Sequence, residues 1–109
     1  MQKFLLELGR GFSFVARQKR ITFDGRHFRI DLVFYNYILK CFVLIDLKVG
    51  DLTHQDLGQM QMYVHYYERE LMNEGDNPPI GIVLCADKSE SVVKYTLPEN
   101  ETQIFCFKV

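Results

Sequence analysis

Three ionisable side chains stand inside the most apolar segments of the chain: Asp31 in RIDLVFY, and Asp46 with Lys48 in CFVLIDLK. Charged groups are seldom buried among apolar neighbours unless they are paired or bind a metal ion. Side chains of a strand alternate between the two faces of a sheet, so Asp46 and Lys48 should point the same way. If the strands that carry them form a hairpin, Asp31 lies within one or two residue pairs of Asp46, although alternation does not fix the register.

Two carboxylates and an ammonium on one patch suit phosphodiester hydrolysis. Carboxylate oxygens are hard ligands for Mg²⁺, which keeps several waters and also takes phosphate oxygens. Lys48 could orient or help deprotonate an attacking water and stabilise charge in the transition state. In the alternative interpretation, Asp46 and Lys48 merely pair with each other at the frayed end of a strand. D-x-K alone is a common tripeptide, and the upstream Asp31 is what favours a site.

Hydrophobic patterning predicts the elements that position these residues. A helix over residues 2–8 precedes two β-rich segments, 14–23 and 28–36. Asp24-Gly25 between them is the dipeptide preferred in type I′ hairpin turns. The almost continuously apolar segment 41–47 is typical of a strand in the middle of a sheet.

The second half of the chain alternates helices with strands. Thr53 and Asp56 form a T-x-x-D capping box that begins a helix of about five turns, which ends before Gly75. A strand over residues 79–86, a short helix over 90–95 and a last strand over 104–109 follow. This order predicts an α/β (α+β) fold, a mixed central sheet flanked by helices.

Length and composition favour one domain in a soluble, cytoplasmic protein. The 109 residues are 48% hydrophobic, enough for one packed core. No apolar run reaches the length of a membrane span, and no signal-peptide pattern begins the chain. The three cysteines, each in an apolar run, are predicted to be reduced core thiols.

Charge is distributed unevenly along the chain. Residues 1–29 carry a net charge of +5 and the remainder −6, within a total of −1. A basic N-terminal part could steer a polyanion toward one face, but an ordinary solvated hairpin is favoured on charge alone. Arg17, Lys19 and Arg29 could contact phosphates, although a solvated strand face is the favoured interpretation. The three histidines lack metal-ligand spacing, and we assign them no function.

An acid on one strand followed by D-x-K on the next resembles the PD-(D/E)XK nuclease superfamily, with Ile30 where that family has proline. More narrowly, FLLELGRGFSFVARQKRI, FRIDLVFYN, IDLKVG and DLGQMQMYVHYYE are similar to the C-terminal nuclease domain of YhcG-like bacterial proteins. The resemblance implies an αβββαβ restriction-endonuclease-like core and a larger parent protein with another domain before residue 1.

The same resemblance implies roles for individual residues. By it, Asp31, Asp46 and the backbone carbonyl of Leu47 would bind metal, Lys48 would assist catalysis, and Glu7 would help coordinate the metal or its waters. Gln59 and Tyr63 form a Q-x-x-x-Y pair one helical turn apart, similar to a motif of RecB-like nucleases. Gln59 could donate to a phosphate or orient Lys48, whereas core packing explains Tyr63 equally well.

The leading hypothesis is therefore a Mg²⁺-dependent (endo)nuclease, with Mn²⁺ as a substitute ion and DNA as the expected nucleic acid. Expected partners besides nucleic acid are the N-terminal domain of the parent protein and a second copy of the chain. The alternative is a catalytically silent nuclease-like module for nucleic-acid binding or assembly, which the complete Asp, Asp-x-Lys set disfavours. A small-molecule enzyme has little support, because the chain has neither a glycine-rich phosphate loop nor a nucleophile with a partner base.

Overall fold

The structure, a computed structural model, describes residues 9–109, so the predicted helix over residues 2–8 and its Glu7 lie outside the described residues. A five-stranded sheet consists of β1 (Phe12–Phe23), β2 (Arg26–Asn36), β3 (Cys41–Asp51), β4 (Ile80–Asp87) and β5 (Ile104–Lys108). Helix α1 spans His54–Tyr66 and continues as a π-helical turn over Tyr67–Leu71, and helix α2 spans Glu90–Thr96.

The sheet is mixed, as the alternation of elements predicted. Its spatial order follows the chain order, β1-β2-β3-β4-β5. The first three strands are antiparallel, whereas β4 runs parallel to β3 and β5 runs parallel to β4. Parallel neighbours need a crossover connection, and α1 and α2 provide the two crossovers. The apolar strand β3 lies in the middle of the sheet, which confirms that prediction.

The turn between β1 and β2 is the predicted two-residue hairpin. Asp24 and Gly25 both have positive φ, 49° and 78°, as a type I′ turn requires. Because only two residues separate the strands, Phe23 pairs with Arg26. Strand β2 therefore begins two residues earlier than the hydrophobic pattern predicted.

Helix α1 packs against one face of the sheet. Its buried side chains meet apolar residues of the strands in a single cluster that includes Leu57, Met60, Tyr63 and Val64 from the helix and Val33, Leu44 and Val83 from the sheet. Side chains of α2 pack against the same cluster. A second, smaller cluster on other strand side chains contains Cys41, Val43 and Ile82.

The start of α1 confirms the predicted capping box. The amide of Thr53 donates to Asp56 Oδ2 at 2.8 Å, and the amide of Asp56 donates to Thr53 Oγ1 at 3.4 Å. The helix ends at Leu71 as expected, but its last turn is π-helical. None of the helices within the described residues is long and apolar enough to span a membrane.

All three cysteines are buried and free, in agreement with the sequence-based prediction. Burial raises the pKa of each thiol, that of Cys106 to about 11. A thiol with a raised pKa holds little reactive thiolate at neutral pH. These side chains therefore contribute to the core.

Candidate active site

The two carboxylates that the sequence singled out lie where β2 and β3 separate. The pairing of these strands ends at Leu32 and Ile45, and one further pair in that register places Asp31 opposite Asp46. At this point side chains replace the backbone ladder. The amide of Asp31 donates to Asp46 Oδ1 at 3.1 Å, and the amide of Leu47 donates to Asp31 Oδ2 at 2.7 Å. Each carboxylate is thus fixed by the backbone of the neighbouring strand.

The environment of Asp46 disfavours its negative charge. Burial raises the pKa of its carboxyl from 3.8 to about 6. The hydrogen bond from the Asp31 amide acts in the opposite direction, while the negative charges of Asp31 and Asp56 raise the pKa further. Buried acids that crowd together in this way are stabilised by a cation, so the electrostatics are suited to a metal ion or a positively charged group.

Lys48 enters the same cleft but pairs with a residue of the helix. Its Nζ lies 3.5 Å from Asp56 Oδ1, and the two side chains are 36% and 20% exposed. Within residues 9–109 it forms no ion pair with Asp46, the partner that the alternative interpretation required. The ion pair leaves the ammonium partly accessible from the cleft.

A cleft of about 180 Å³ brings these groups together. Besides the two aspartates and Lys48, it is lined by residues of β2, β3, β4 and α1: Arg29, Leu47, Asp56, Gln59 and Val83. The structure therefore gathers every predicted site residue that it describes: Asp31, Asp46, Leu47, Lys48 and Gln59. The predicted ligand Glu7 lies outside the described residues.

The Q-x-x-x-Y pair is divided between the cleft and the core. Gln59 is exposed and lines the cleft. Tyr63 is 1% exposed, and its hydroxyl donates to the carbonyl of Arg29 at 3.3 Å. Burial, followed by the charges of Asp46 and Asp31, raises the pKa of Tyr63 to about 12. Tyr63 is thus a core residue that supports the strand beside the site, whereas Gln59 can reach a ligand.

The residues present fit a Mg²⁺ ion, although no cluster of three or more His, Cys, Asp or Glu side chains in the described part of the chain is arranged for a metal. Asp31 and Asp46 each use one oxygen to accept a backbone amide. The second oxygen of each accepts no hydrogen bond from residues 9–109 and can serve as a ligand. Two carboxylates suffice for Mg²⁺, because this ion keeps several waters and completes its shell with substrate oxygens.

Two polar residues of the cleft, Asp56 and Arg29, are not among the site residues predicted from the sequence. Asp56 was recognised only as half of a capping box, although a lysine beside buried acids needs an acceptor and a helix start next to the strand end can provide one. For Arg29 the sequence allows a phosphate contact but favours a solvated strand face. Arg29 lies two residues before Asp31 on β2 and lines the cleft, and its backbone carbonyl accepts a hydrogen bond from the Tyr63 hydroxyl.

A family described as the YhcG PDDEXK nuclease domain has a model that matches residues 1–108. The YhcG protein of Escherichia coli (strain K12) is 44% identical to this chain over 97 residues, which are 89% of this chain and 26% of that protein. The chain thus spans about a quarter of the length of this relative.

Solved structures share the fold. A repair endonuclease from Pyrococcus abyssi superimposes with a TM-score of 0.64 at 21% identity, covering 98% of this chain and 42% of that one. EndoMS in a complex with double-stranded DNA gives a TM-score of 0.64 at 17% identity, covering 99% of this chain and 43% of that one. At these identities the likeness shows the fold alone, a restriction-endonuclease-like mixed sheet.

Proposed function

The chain belongs to the YhcG PDDEXK nuclease domain family, and on that premise we propose that it is a divalent-metal-dependent nuclease that hydrolyses phosphodiester bonds of DNA. One observation carries the proposal. Asp31 and Asp46, on neighbouring strands, are each held by the other strand's backbone, and the Lys48 ammonium enters the same cleft. Such a fixed set of charges can act on a phosphate without reorganising.

We propose that Asp31, Asp46 and the carbonyl of Leu47 hold the ion, with Glu7 assisting. The expected ion is Mg²⁺, for which Mn²⁺ can substitute. When bound, it would polarise the phosphate and lower the pKa of a water ligand. The backbone amides anchor one oxygen of each aspartate and leave the other oxygen available to the ion.

Lys48 acts on the attacking water and the phosphate. Its ammonium can donate hydrogen bonds to the water and to the negative charge that develops on the phosphate oxygens. Asp56, on the side of α1 that faces the sheet, pairs with this ammonium at 3.5 Å. The ion pair restricts the long, flexible side chain of Lys48. Gln59 and Arg29 line the same cleft, and we expect them to contact a phosphate next to the scissile one.

Several further features stay predictions. The chain spans 26% of its relative YhcG, and we propose that residues 1–109 are one domain of a longer protein whose N-terminal part, or a second copy of this domain, adds to substrate binding. A cytoplasmic location is likewise proposed. The affinity of this domain alone for DNA is expected to be modest. Its net charge is −1, so few basic side chains are left to neutralise phosphates.

Titration of Mg²⁺ and Mn²⁺ into the wild type and Asp46→Ala, with DNA cleavage and thermal melting measured together, tests the proposal. Metal should raise the melting temperature of the wild type by mass action and support cleavage, and both effects should be lost in the variant. Asp51→Ala, which removes an exposed carboxylate at the end of the same strand, is the matched control. If the wild type neither cleaves DNA nor melts differently in millimolar metal, the chain is a silent nuclease-like module.

A further inference from the structure

We propose that a DNA strand leaving the active-site cleft runs along the exposed side of α1, over Gly58 toward Arg69. This inference rests on the proposed nuclease function, since it assigns a path to the same substrate. We call this surface the α1 groove, because helix α1 forms its floor. Its proposed ligand is the DNA strand, both the phosphate backbone and the bases.

The α1 groove is continuous with the active-site cleft. Gln59 lines both the cleft and a neighbouring hollow of about 420 Å³, whose other wall includes Arg26 and Phe28 on the hairpin. Gly58 and Met62 line that hollow and also a third, of about 520 Å³. The three hollows therefore follow one another along the helix, from the site to the π-helical turn at Arg69.

The charges of the α1 groove suit phosphates. Arg26, His65 and Arg69 line it and are exposed, against the single carboxylate of Glu70. Within residues 9–109, neither arginine forms an ion pair with a carboxylate. The Arg26 guanidinium lies over the Phe28 ring, 5.7 Å from its centroid, which holds it at the wall. Uncompensated arginines next to a hydrolytic site are the groups that neutralise a phosphate backbone.

The walls of the α1 groove also offer rings. Phe23 and Tyr66, with ring centroids 5.2 Å apart, line the distal hollow, and Phe28 lines the middle one. All three are partly exposed. Aromatic side chains beside a basic track are the arrangement on which bases of a single strand stack without sequence preference.

Gly58 indicates that a ligand backbone approaches the floor of the α1 groove closely. It lies in the interior of α1 and is exposed, where glycine is less favourable than any residue except proline. A Cβ at this position would meet no heavy atom within 4 Å beyond its own helical turn. Packing inside the chain therefore does not require glycine here, whereas the close approach of a ligand backbone does.

Two variants and one control test the path with fluorescein-labelled DNA, as a duplex and as its single strands, in EDTA across a salt series. Arg69→Glu should reduce the slope of log affinity against log salt by roughly 0.9 or more, the contribution of one phosphate. Gly58→Gln should raise the melting temperature, because glutamine is the better helix former. It should also lower DNA affinity by about tenfold, since its side chain occupies the floor. The control is Lys94→Glu on α2, which reverses one positive charge at an exposed residue outside the groove. It should leave the DNA affinity much closer to that of the wild type.

The outcomes separate this path from the nuclease itself. If both variants bind DNA as the wild type does, or if Lys94→Glu weakens binding as much as Arg69→Glu, the path is wrong, even where Mg²⁺-dependent cleavage by the wild type upholds the proposed function. If the groove variants weaken DNA binding but the wild type does not cleave DNA in Mg²⁺, the path is retained and the proposed nuclease activity is wrong. A wild type that does not bind DNA at all overturns the path.

Discussion

The Lys48 ammonium lies 3.5 Å from the Asp56 carboxylate, and this ion pair joins the end of the apolar strand β3 to the first turn of α1. Asp56 uses its two oxygens differently. Oδ1 faces Lys48, while Oδ2 accepts hydrogen bonds from the amide and the hydroxyl of Thr53 at 2.8 and 2.9 Å. Asp56, the third residue of α1 and one half of its capping box, therefore also contacts Lys48.

Replacing Asp56 with asparagine should reduce the cleavage rate more than it reduces stability. The loss of a charged partner frees the Lys48 side chain, and misplacing a catalytic group by about 1 Å can cost up to a hundredfold in rate. We expect kcat to fall by about tenfold or more with little change in KM, and Asp56→Glu to restore part of it. Steady-state cleavage kinetics with melting curves measure both effects.

Thr53→Ala is the matched control for Asp56. It removes the same cap, at a cost of about 1 kcal/mol in the free energy of unfolding, but leaves the carboxylate beside Lys48. Its kcat should stay near that of the wild type. Equal losses of kcat in Thr53→Ala and Asp56→Asn would mean that Asp56 acts only through the helix.

Lys48→Met should separate metal binding from turnover. Methionine fills nearly the same space as lysine and lacks the ammonium, so the proposed metal ligands Asp31 and Asp46 are left in place. The Mg²⁺-induced rise in melting temperature should persist while cleavage falls by about a hundredfold or more, as expected for the loss of one transition-state donor. An unchanged cleavage rate would reduce Lys48 to a structural partner of Asp56.

The sequence predicted those parts of the molecule that depend on local patterns. Asp24-Gly25 specified a turn that only positive φ satisfies, and the T-x-x-D pattern specified the start of α1. Both are decided by backbone geometry within four residues. The apolar run of β3 indicated its central place, because continuous apolar runs are typical of strands that are covered on both faces within a sheet.

The sequence predicted which residues form the site but not the contacts between them. Alternation placed Asp46 and Lys48 on one face, yet it could not show that β2 and β3 part at Leu32 and Ile45, which allows side chains to bond across the gap. The packing of α1 on the sheet decides that Asp56 meets Lys48 and that Tyr63 is buried. Contacts between elements distant in sequence have no local signature.

Gly81→Ala should destabilise the domain, because α1 packs directly on β4 at that residue. A Cβ there would lie 2.6 Å from Met60 Sδ and 2.8 Å from Val64 Cγ2. Both distances are shorter than van der Waals contact, so neighbouring atoms would have to move. Overpacking of this kind costs about 1–3 kcal/mol in the free energy of unfolding. Urea denaturation measures it. Gly58→Ala, whose methyl group points into open space, should be stabilising, and an equal loss in both variants would contradict the packing argument.

Asp46→Asn should stabilise the metal-free protein, and the gain should depend on pH. In the folded state the pKa of Asp46 is about 6, above its ordinary value of 3.8, so between these values the folded protein keeps a proton that the unfolded chain has released. The contribution of this carboxyl to stability is complete below pH 3.8 and is lost as the pH rises through about 6. At pH 8 ionised Asp46 costs about 3 kcal/mol. The neutral amide avoids this cost, while its oxygen still accepts from the Asp31 amide.

Asp76→Asn supplies the comparison of opposite sign. The Tyr35 hydroxyl donates to Asp76 Oδ1 at 2.6 Å and, as the largest cause, lowers the pKa of that carboxyl. Its stabilisation is therefore present at neutral pH and is lost as the pH falls through its folded-state pKa. Melting curves in EDTA should show Asp46→Asn above the wild type at pH 8, with the difference vanishing toward pH 4, and Asp76→Asn below the wild type at pH 8. A constant difference for Asp46→Asn at every pH would show that burial of the charge is not what strains the site.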